Sequence, residues 1–551
     1  MFEDSFRFVI KKNLKQSVLL AVSLTLIALM SVASSTVLMK IIDDVLPQQN
    51  MSVLLKAVAV FIVIALMQGV VSYLSSLANS ALLLRSTNGL KVEMLQKILR
   101  KDGKYFAANS RGEIYNSIEN DSSRFSAFVI SNFSSVFMTI VSLLVAIVYL
   151  GILDWKLVLL ILALQPTSLL FQAMMRPKII RISEKVRAFT SEYDTLTQEI
   201  VEDPSELILS GHVQSLISRF NEKTETAVRL GMKSTVIQMM SANIGQFLNS
   251  MTLCAVIAYS GWSIIRGSMG IGEMIIFVTY SQRIVDSIEN LLNFSIDVSD
   301  ITPIHRKIHA LMYSEEREKQ QEPAVSAEPV IETKQLNFAY DDRSHAIFNN
   351  FTYQFCYGKH YGIVGKTGSG KSTLARLIYG LWEPDQGSVT VDGISAGEIA
   401  YTDMDQIVTY ISSSPMILND TVRNNLTMFD SSVSDEQIWN VLRKMRLDDV
   451  IRESENKLDT KIGESGLRLS AGQRQRLVLA RGMLSGKRII ILDEPTSALD
   501  TETAKHVTDE IYNTFADRTL IIITHDPKIL DRCHAVLRIE NGTVSEISRT
   551  K

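Results

Sequence analysis

Apolar residues fall in long, uninterrupted runs over the first half of the chain and in short ones over the second. Runs long enough to cross a bilayer recur at 17–39, 53–78, 132–153, 156–176, 244–265 and 271–294, which predicts six membrane helices. The sixth is interrupted by Arg283, Asp286 and Glu289. The connections at 40–52, 154–155 and 266–270 are short, whereas 79–131 and 177–243 are long and rich in Lys and Arg. Basic residues also precede the first run, at Arg7, Lys11, Lys12 and Lys15, so the excess of positive charge places both termini and both long connections in the cytoplasm. Met1 to Lys15 reads as an amphipathic segment lying at the interface. It does not read as a cleavable signal, because the apolar run continues from Val18 to about Met39.

The long connections keep a helical period, over Leu82 to Leu99 and again over Gln198 to Phe220, where Asp203-Pro204 interrupts it. The membrane helices are therefore expected to continue into the cytoplasm. The bends between them, roughly Asn120–Phe128 and Asp203–Gly211, are candidate contacts to the domain that follows. Ser314 to Val330 is charged, carries two prolines and has no apolar period, which marks a linker. From Ile331 short β-branched runs alternate with helical stretches, as in an α/β domain with a mostly parallel core sheet. The expected organisation is a multi-domain membrane protein: a six-helix, all-α transmembrane domain (1–313), a linker (314–330) and an α/β P-loop NTPase domain (331–551).

Composition adds three limits. In 551 residues, 46% are hydrophobic and 21% charged, an apolar excess that the six runs account for. A net charge of −3 gives no basic surface for nucleic acid. Cys254, Cys356 and Cys533 are far apart and show no metal-binding spacing, so they read as small apolar side chains.

The chemistry is concentrated after residue 360. Tyr361-Gly362-Ile363-Val364 is a strand run, and Gly365-Lys366-Thr367-Gly368-Ser369-Gly370-Lys371-Ser372-Thr373 follows it as a complete G-x-x-x-x-G-K-[ST] pattern ahead of a helix. Glycines at 365, 368 and 370 let backbone N–H groups converge on phosphate oxygens, Lys371 reaches the terminal phosphates, and the Ser372 hydroxyl sits on Mg²⁺. Farther on, Ile489 to Leu492 is a buried-strand run ending in Asp493, where a carboxylate for Mg²⁺ is expected. Glu494, next to it, is placed to polarise the water that attacks the γ-phosphate.

Leu469-Ser470-Ala471-Gly472-Gln473, followed by Arg474-Gln475-Arg476, closely resembles the signature motif of ATP-binding-cassette (ABC) ATPases. Asp493-Glu494-Pro495-Thr496-Ser497-Ala498-Leu499-Asp500 looks like their Walker B and D-loop, Thr524-His525-Asp526 like their switch histidine, and Tyr340 like the aromatic that stacks on adenine. Thr460 to Gly466 resembles a segment that touches the transmembrane helices in exporters. Lys40 to Pro47 and Phe106 to Asp121 look like features of six-span half-transporters. The resemblance implies ATP and Mg²⁺ as cofactors, Glu494, His525 and Lys371 as catalytic residues, and a dimer. Each ATP would be held between one phosphate loop and Ser470, Gly472 and Gln473 of the second chain. Because every motif is present in one chain, a homodimer is the simpler expectation, with a paired half-transporter as the other. The family departs from this sequence at Ser413, where its members carry a glutamine that helps hold Mg²⁺ and reports to the membrane helices. Serine is shorter.

The fifth and sixth spans are unusually polar, and residues such as Asn249, Tyr280, Arg283 and Asp286 read either as a substrate cavity wall or, for the Arg283/Asp286 pair at i,i+3, as an internal ion pair. The expected function is ATP-driven export by alternating access from a bacterial inner membrane, with a peptide or other small amphipathic molecule as cargo. The alternatives are a multidrug or lipid exporter and, on the strength of Ser413, an ATP-dependent membrane regulator or gated channel. A soluble ABC ATPase acting on nucleic acid is excluded by the spans and the charge.

Overall fold

The computed structural model describes residues 13–202, 204–313, 330–340, 346–414, 416–463, 469–540 and 542–547. Most of the N-terminal amphipathic segment, the linker up to 329, Asp203, and Glu464 to Gly466 lie outside them. Packing divides the chain into two units, one of residues 1–93 and 117–310, the other of residues 94–116 and 311–551.

The first unit is built of long helices. Leu14–Lys40 continues through one π-helical and one 3₁₀ turn to Gln48, and Met51–Ile98, Ser122–Glu202, Val213–Ile265 and Ile271–Tyr313 follow. Ser122–Glu202 is two helices, because Asp154 leaves helical geometry at φ −153°, ψ 101°, and its carboxylate accepts the N–H of Lys156 at 2.9 Å. That gives six long helices where six were expected. Met51–Ile98 alone has 48 residues, about 72 Å of helix at 1.5 Å per residue, more than twice the hydrocarbon core of a bilayer. Its exposed side includes Val60, Val63, Leu66 and Val70, as expected of a surface facing lipid. Ile271–Tyr313 falls short of the others as an apolar span. Its N-terminus is capped from the first span: Asp43 accepts the N–H groups of Gly272 at 2.7 Å and Glu273 at 3.2 Å. A Cβ at Gly270 or Gly272 would collide with that carboxylate, and at Gly272 it would also stand 2.7 Å from the Met39 carbonyl, which cannot swing away. The core here gathers Leu150, Leu157, Ile161, Val256, Phe277 and Tyr280.

The second unit holds two sheets. An antiparallel one runs β2 (Phe348–Phe355), β1 (Ile331–Phe338), β4 (Gln386–Val391), β5 (Ile394–Ser395). The core sheet runs β10 (Thr543–Glu546), β9 (Ala535–Glu540), β3 (His360–Gly365), β8 (Thr519–Ile523), β7 (Ile489–Asp493), β6 (Val408–Ile411); it is parallel except at β10. The adjacent inner strands β7 and β8 are buried along their whole length, which is why they read as unbroken apolar runs.

Residues 94–116 pack with this unit. Asp102 caps the short helix Gly103–Ala108 by accepting the Tyr105 N–H at 2.9 Å, the Gly103 N–H donates to the Leu381 carbonyl at 2.7 Å, and the Tyr401 hydroxyl donates to the Lys101 carbonyl at 3.1 Å. A Cβ on Gly103 would stand 2.4 Å from the Trp382 indole. The packed segment thus precedes Asn120–Phe128, the bend expected from the sequence, which falls in the other unit. A periodicity places bends but carries no information on which of them meets an aromatic pocket.

Candidate functional site

The phosphate loop leaves the C-terminal end of β3, in the middle of the parallel sheet, and enters the helix Lys371–Ile378. Gly368 (φ +82°) and Gly370 (φ +101°) supply left-handed turns, and at Gly365 a Cβ would lie 2.5 Å from the Ile539 carbonyl. Lys366, Thr367 and Gly368 form the exposed crown. Ser369 is half-buried, and its hydroxyl has no hydrogen-bond partner among the described residues. The Lys371 ammonium is buried in the loop and donates to the carbonyls of Gly365 (2.7 Å) and Lys366 (3.0 Å). An orphaned hydroxyl, a buried ammonium and a helix N-terminus meeting at one loop suit a polyphosphate.

Below the loop, Ser372 Oγ donates to Asp493 Oδ2 at 2.6 Å, and the Tyr410 hydroxyl donates to the same oxygen at 3.1 Å. Burial, and then the Asp493 charge, push the Tyr410 phenol well above its ordinary range, so it stays a donor. Thr373 Oγ1 lies 2.8 Å from the Tyr340 hydroxyl, and the half-exposed Tyr340 ring stands edge-on to Trp382 (4.9 Å) and Phe338 (5.2 Å).

Glu494 follows β7 in the left-handed region at φ +51°, an uncommon conformation for a non-glycine residue. Four bonds hold it there. Its N–H donates to the Ile523 carbonyl at 2.8 Å, while its carbonyl accepts from Gln475 Nε2 (2.6 Å), Ser497 Oγ (3.1 Å) and the Ser497 N–H (3.3 Å). Its side chain and His525 line one cleft of about 640 Å³.

Ser470 and Gln473 form a capping box on the helix Ala471–Leu484: Ser470 Oγ accepts the Gln473 N–H at 3.2 Å and Gln473 Oε1 accepts the Ser470 N–H at 2.9 Å. Gly472 sits against the Ala498 carbonyl, where a Cβ would come within 2.9 Å. The signature residues are thus tied to each other and to the D-loop, not to the phosphate loop of the same chain.

Sequence reasoning did not single out Gln475, Tyr410 or Trp382. Gln475 follows the signature in sequence, but its bonds to Glu494, Ser497 and Ala498 depend on chain reversal. At Ser413 the side chain is exposed, and the neighbouring Ser412 hydroxyl donates back to the Ser414 carbonyl at 2.8 Å.

In the membrane unit Arg283 and Asp286 do not pair. Arg283 donates to Ser31 Oγ and lies 4.8 Å over the Tyr280 ring, whereas Asp286 accepts from Gln282 Nε2 at 3.0 Å. Residues three apart on one helix could have met, but each found a partner elsewhere. Tyr280, Arg283 and Asp286 line a cavity of about 270 Å³. Asn249 lines a second, of about 770 Å³, with Asp286 and Glu289, and donates to Glu289 Oε1 at 2.9 Å.

A phosphate loop in a parallel sheet, fused to a bundle of membrane helices, defines a membrane-bound ATPase of the transporter class. Two family models match, "ABC transporter transmembrane region" over residues 18–288 and "ABC transporter" over 348–497. The chain belongs to the ABC transporters, as an exporter-type half-transporter, and is an ATP hydrolase coupled to transmembrane transport. Among its relatives are proteins named ATP-dependent lipid A-core flippase. That of Pectobacterium atrosepticum is 26% identical over 517 residues, covering 93% of this chain and 88% of that protein. That of Syntrophus aciditrophicus is 25% identical over 513 residues, covering 92% and 84%. The fold matches a bacterial Atm1-family ABC exporter solved with ATP bound, at a TM-score of 0.82 and 17% identity, over 98% of this chain and 95% of that one.

Proposed function

We propose that the protein is an ATP-driven lipid exporter that works as a homodimer in a bacterial inner membrane, with its ATPase domains in the cytoplasm. The observation that carries the lipid reading is the name shared by relatives matching 92–93% of the chain, lipid A-core flippase. A peptide cargo, expected first from the polar spans, has no such support. Polar spans serve an amphipathic lipid equally well, because its headgroup also needs a hydrated path. Arg283, Tyr280 and Asp286 in one cavity, and Asn249 and Asp286 in the other, are the headgroup's candidate contacts.

In this reading the loop N–H groups from Gly365 to Thr373 bind the phosphates, Lys371 exchanges its two loop carbonyls for phosphate oxygens, and Tyr340 offers its ring to adenine. Ser372 and Asp493 would hold Mg²⁺, which when bound neutralises charge across the β- and γ-phosphates. Their shared buried oxygen contact fits that role. Glu494 takes the proton of the attacking water, and His525, on the same cleft, orients it. Ser470, Gly472 and Gln473 close over the ATP of the second copy, so ATP favours the closed dimer and hydrolysis releases it.

The test is ATP hydrolysis and lipid flipping in vesicles, by the wild type and Glu494→Gln, with a lipid A-type glycolipid, a phospholipid, peptides and drugs supplied separately. Glu494→Gln should lower hydrolysis at least about 100-fold. Stimulation and flipping confined to lipids support the proposal. Stimulation by peptides or drugs alone overturns the cargo, and ATP binding without hydrolysis under every condition overturns the exporter.

A further inference from the structure

Where the family has a metal-side glutamine this chain has Ser413, yet the carboxylate below the phosphate loop is not left with one support. Asp493 is only 4% exposed, and its Oδ2 receives two hydroxyl bonds from different directions, Ser372 at 2.6 Å and Tyr410 at 3.1 Å. The second donor comes from β6, the strand that runs into the serine segment. In the register of β6 on β7, Tyr410 pairs with Ile491, two residues before Asp493. A phenol is long enough to cover that offset, whereas an aliphatic residue at 410 could fill the space but not donate. Ser413 is exposed and its neighbours bond to one another, so the serine segment contributes nothing to this carboxylate.

We propose that Tyr410 is a positioning residue that holds Asp493 in place for Mg²⁺·ATP and so replaces the side chain that Ser413 lacks. The inference rests on the reading of Ser372 and Asp493 as the Mg²⁺ side of the site. A carboxylate with two fixed donors on one oxygen keeps one orientation. Removal of the Tyr410 donor frees the carboxylate to rotate and leaves Ser372 to hold it alone.

The experiment uses the full-length protein in lipid vesicles and reads binding of a fluorescent ATP analogue, in EDTA and across a Mg²⁺ titration, with hydrolysis measured in parallel. Tyr410→Phe keeps the ring and removes the donor. The expected result is unchanged affinity in EDTA, a rise of about tenfold in the Mg²⁺ concentration for half-maximal binding and hydrolysis, and a kcat at saturating Mg²⁺ close to wild type. Addition of Ser413→Gln to that variant should return the Mg²⁺ midpoint toward wild type. Equal loss of binding with and without Mg²⁺, an unmoved midpoint, or failure of Ser413→Gln to rescue overturns the inference. Asp493→Asn, run beside it, separates the two readings. If Asp493→Asn leaves the Mg²⁺ dependence intact, the metal assignment itself fails; if it abolishes that dependence while Tyr410→Phe does nothing, only the role of Tyr410 fails.

Discussion

Glu494 is held in a left-handed backbone conformation by contacts that do not involve its carboxylate, and the principal brace is Gln475, which bonds both the Glu494 carbonyl and the Ala498 N–H (2.6 and 3.1 Å). Gln475→Ala is expected to lower kcat about tenfold and leave the affinity for ATP unchanged, because neither bond is made by a residue of the phosphate loop. Steady-state kinetics beside equilibrium nucleotide binding check this. A second residue sets a pH dependence. Burial lowers the pKa of His360 below its ordinary 6.5, against an opposing bond to the Phe515 carbonyl, with His534 and Arg532 nearby adding to the depression. The unfolded chain therefore binds the proton more readily, so stability is full above about 6.5 and falls as pH drops below it. The melting temperature should decline between pH 7.5 and 5.5, and His360→Gln should flatten that decline.

The segment from Lys101 to Ala108 meets the ATPase unit through Gly103, whose bare Cα lies against Trp382; Trp382 in turn touches Tyr340, which bonds Thr373 of the phosphate loop. A short element thus reaches the phosphate loop through two aromatic rings. Gly103→Val drives two methyl groups into the indole and should displace the segment. The expected outcome is ATP affinity within about threefold of wild type and loss of stimulation by the transported substrate. Nucleotide binding and substrate-stimulated hydrolysis, measured on the same vesicles, decide it; stimulation that persists would show that the segment carries no signal. The signature helix behaves differently. Ser470 and Gln473 already cap it, so its N-terminus is preformed before any partner arrives.

For the whole molecule, the separation of the signature residues from the phosphate loop predicts complementation. Lys371→Ala and Ser470→Arg should each be nearly inactive alone. Mixed before reconstitution, they should form dimers in which one of the two sites is intact, giving up to about a quarter of wild-type hydrolysis if pairing is random. No recovery in the mixture would place each site within a single chain.

Much of this was legible in the residues because it is local. Six apolar runs, including the break at 154–155, follow from the length a bilayer demands, and Gly365 to Thr373 follows from the few residue types that let a backbone wrap phosphate. The apolar run of β7, with Asp493 and Glu494 at its end, is visible for the same reason, since a strand buried on both faces must be continuous. What only the tertiary structure decided depends on side chains far apart in sequence. Arg283 and Asp286 were spaced to pair, but Ser31, 252 positions away, and Gln282 offered better geometry. Nothing in the sequence marks Tyr410; only β6 lying beside β7 brings its hydroxyl to Asp493, 83 positions on. Nor does anything mark Gly103, whose need for glycine comes from the Trp382 ring packed on it. Periodicity and motif report what a segment needs from its solvent and its nearest neighbours. Which distant group answers a given donor or fills a given space is settled only when the sheet order and helix packing bring them together.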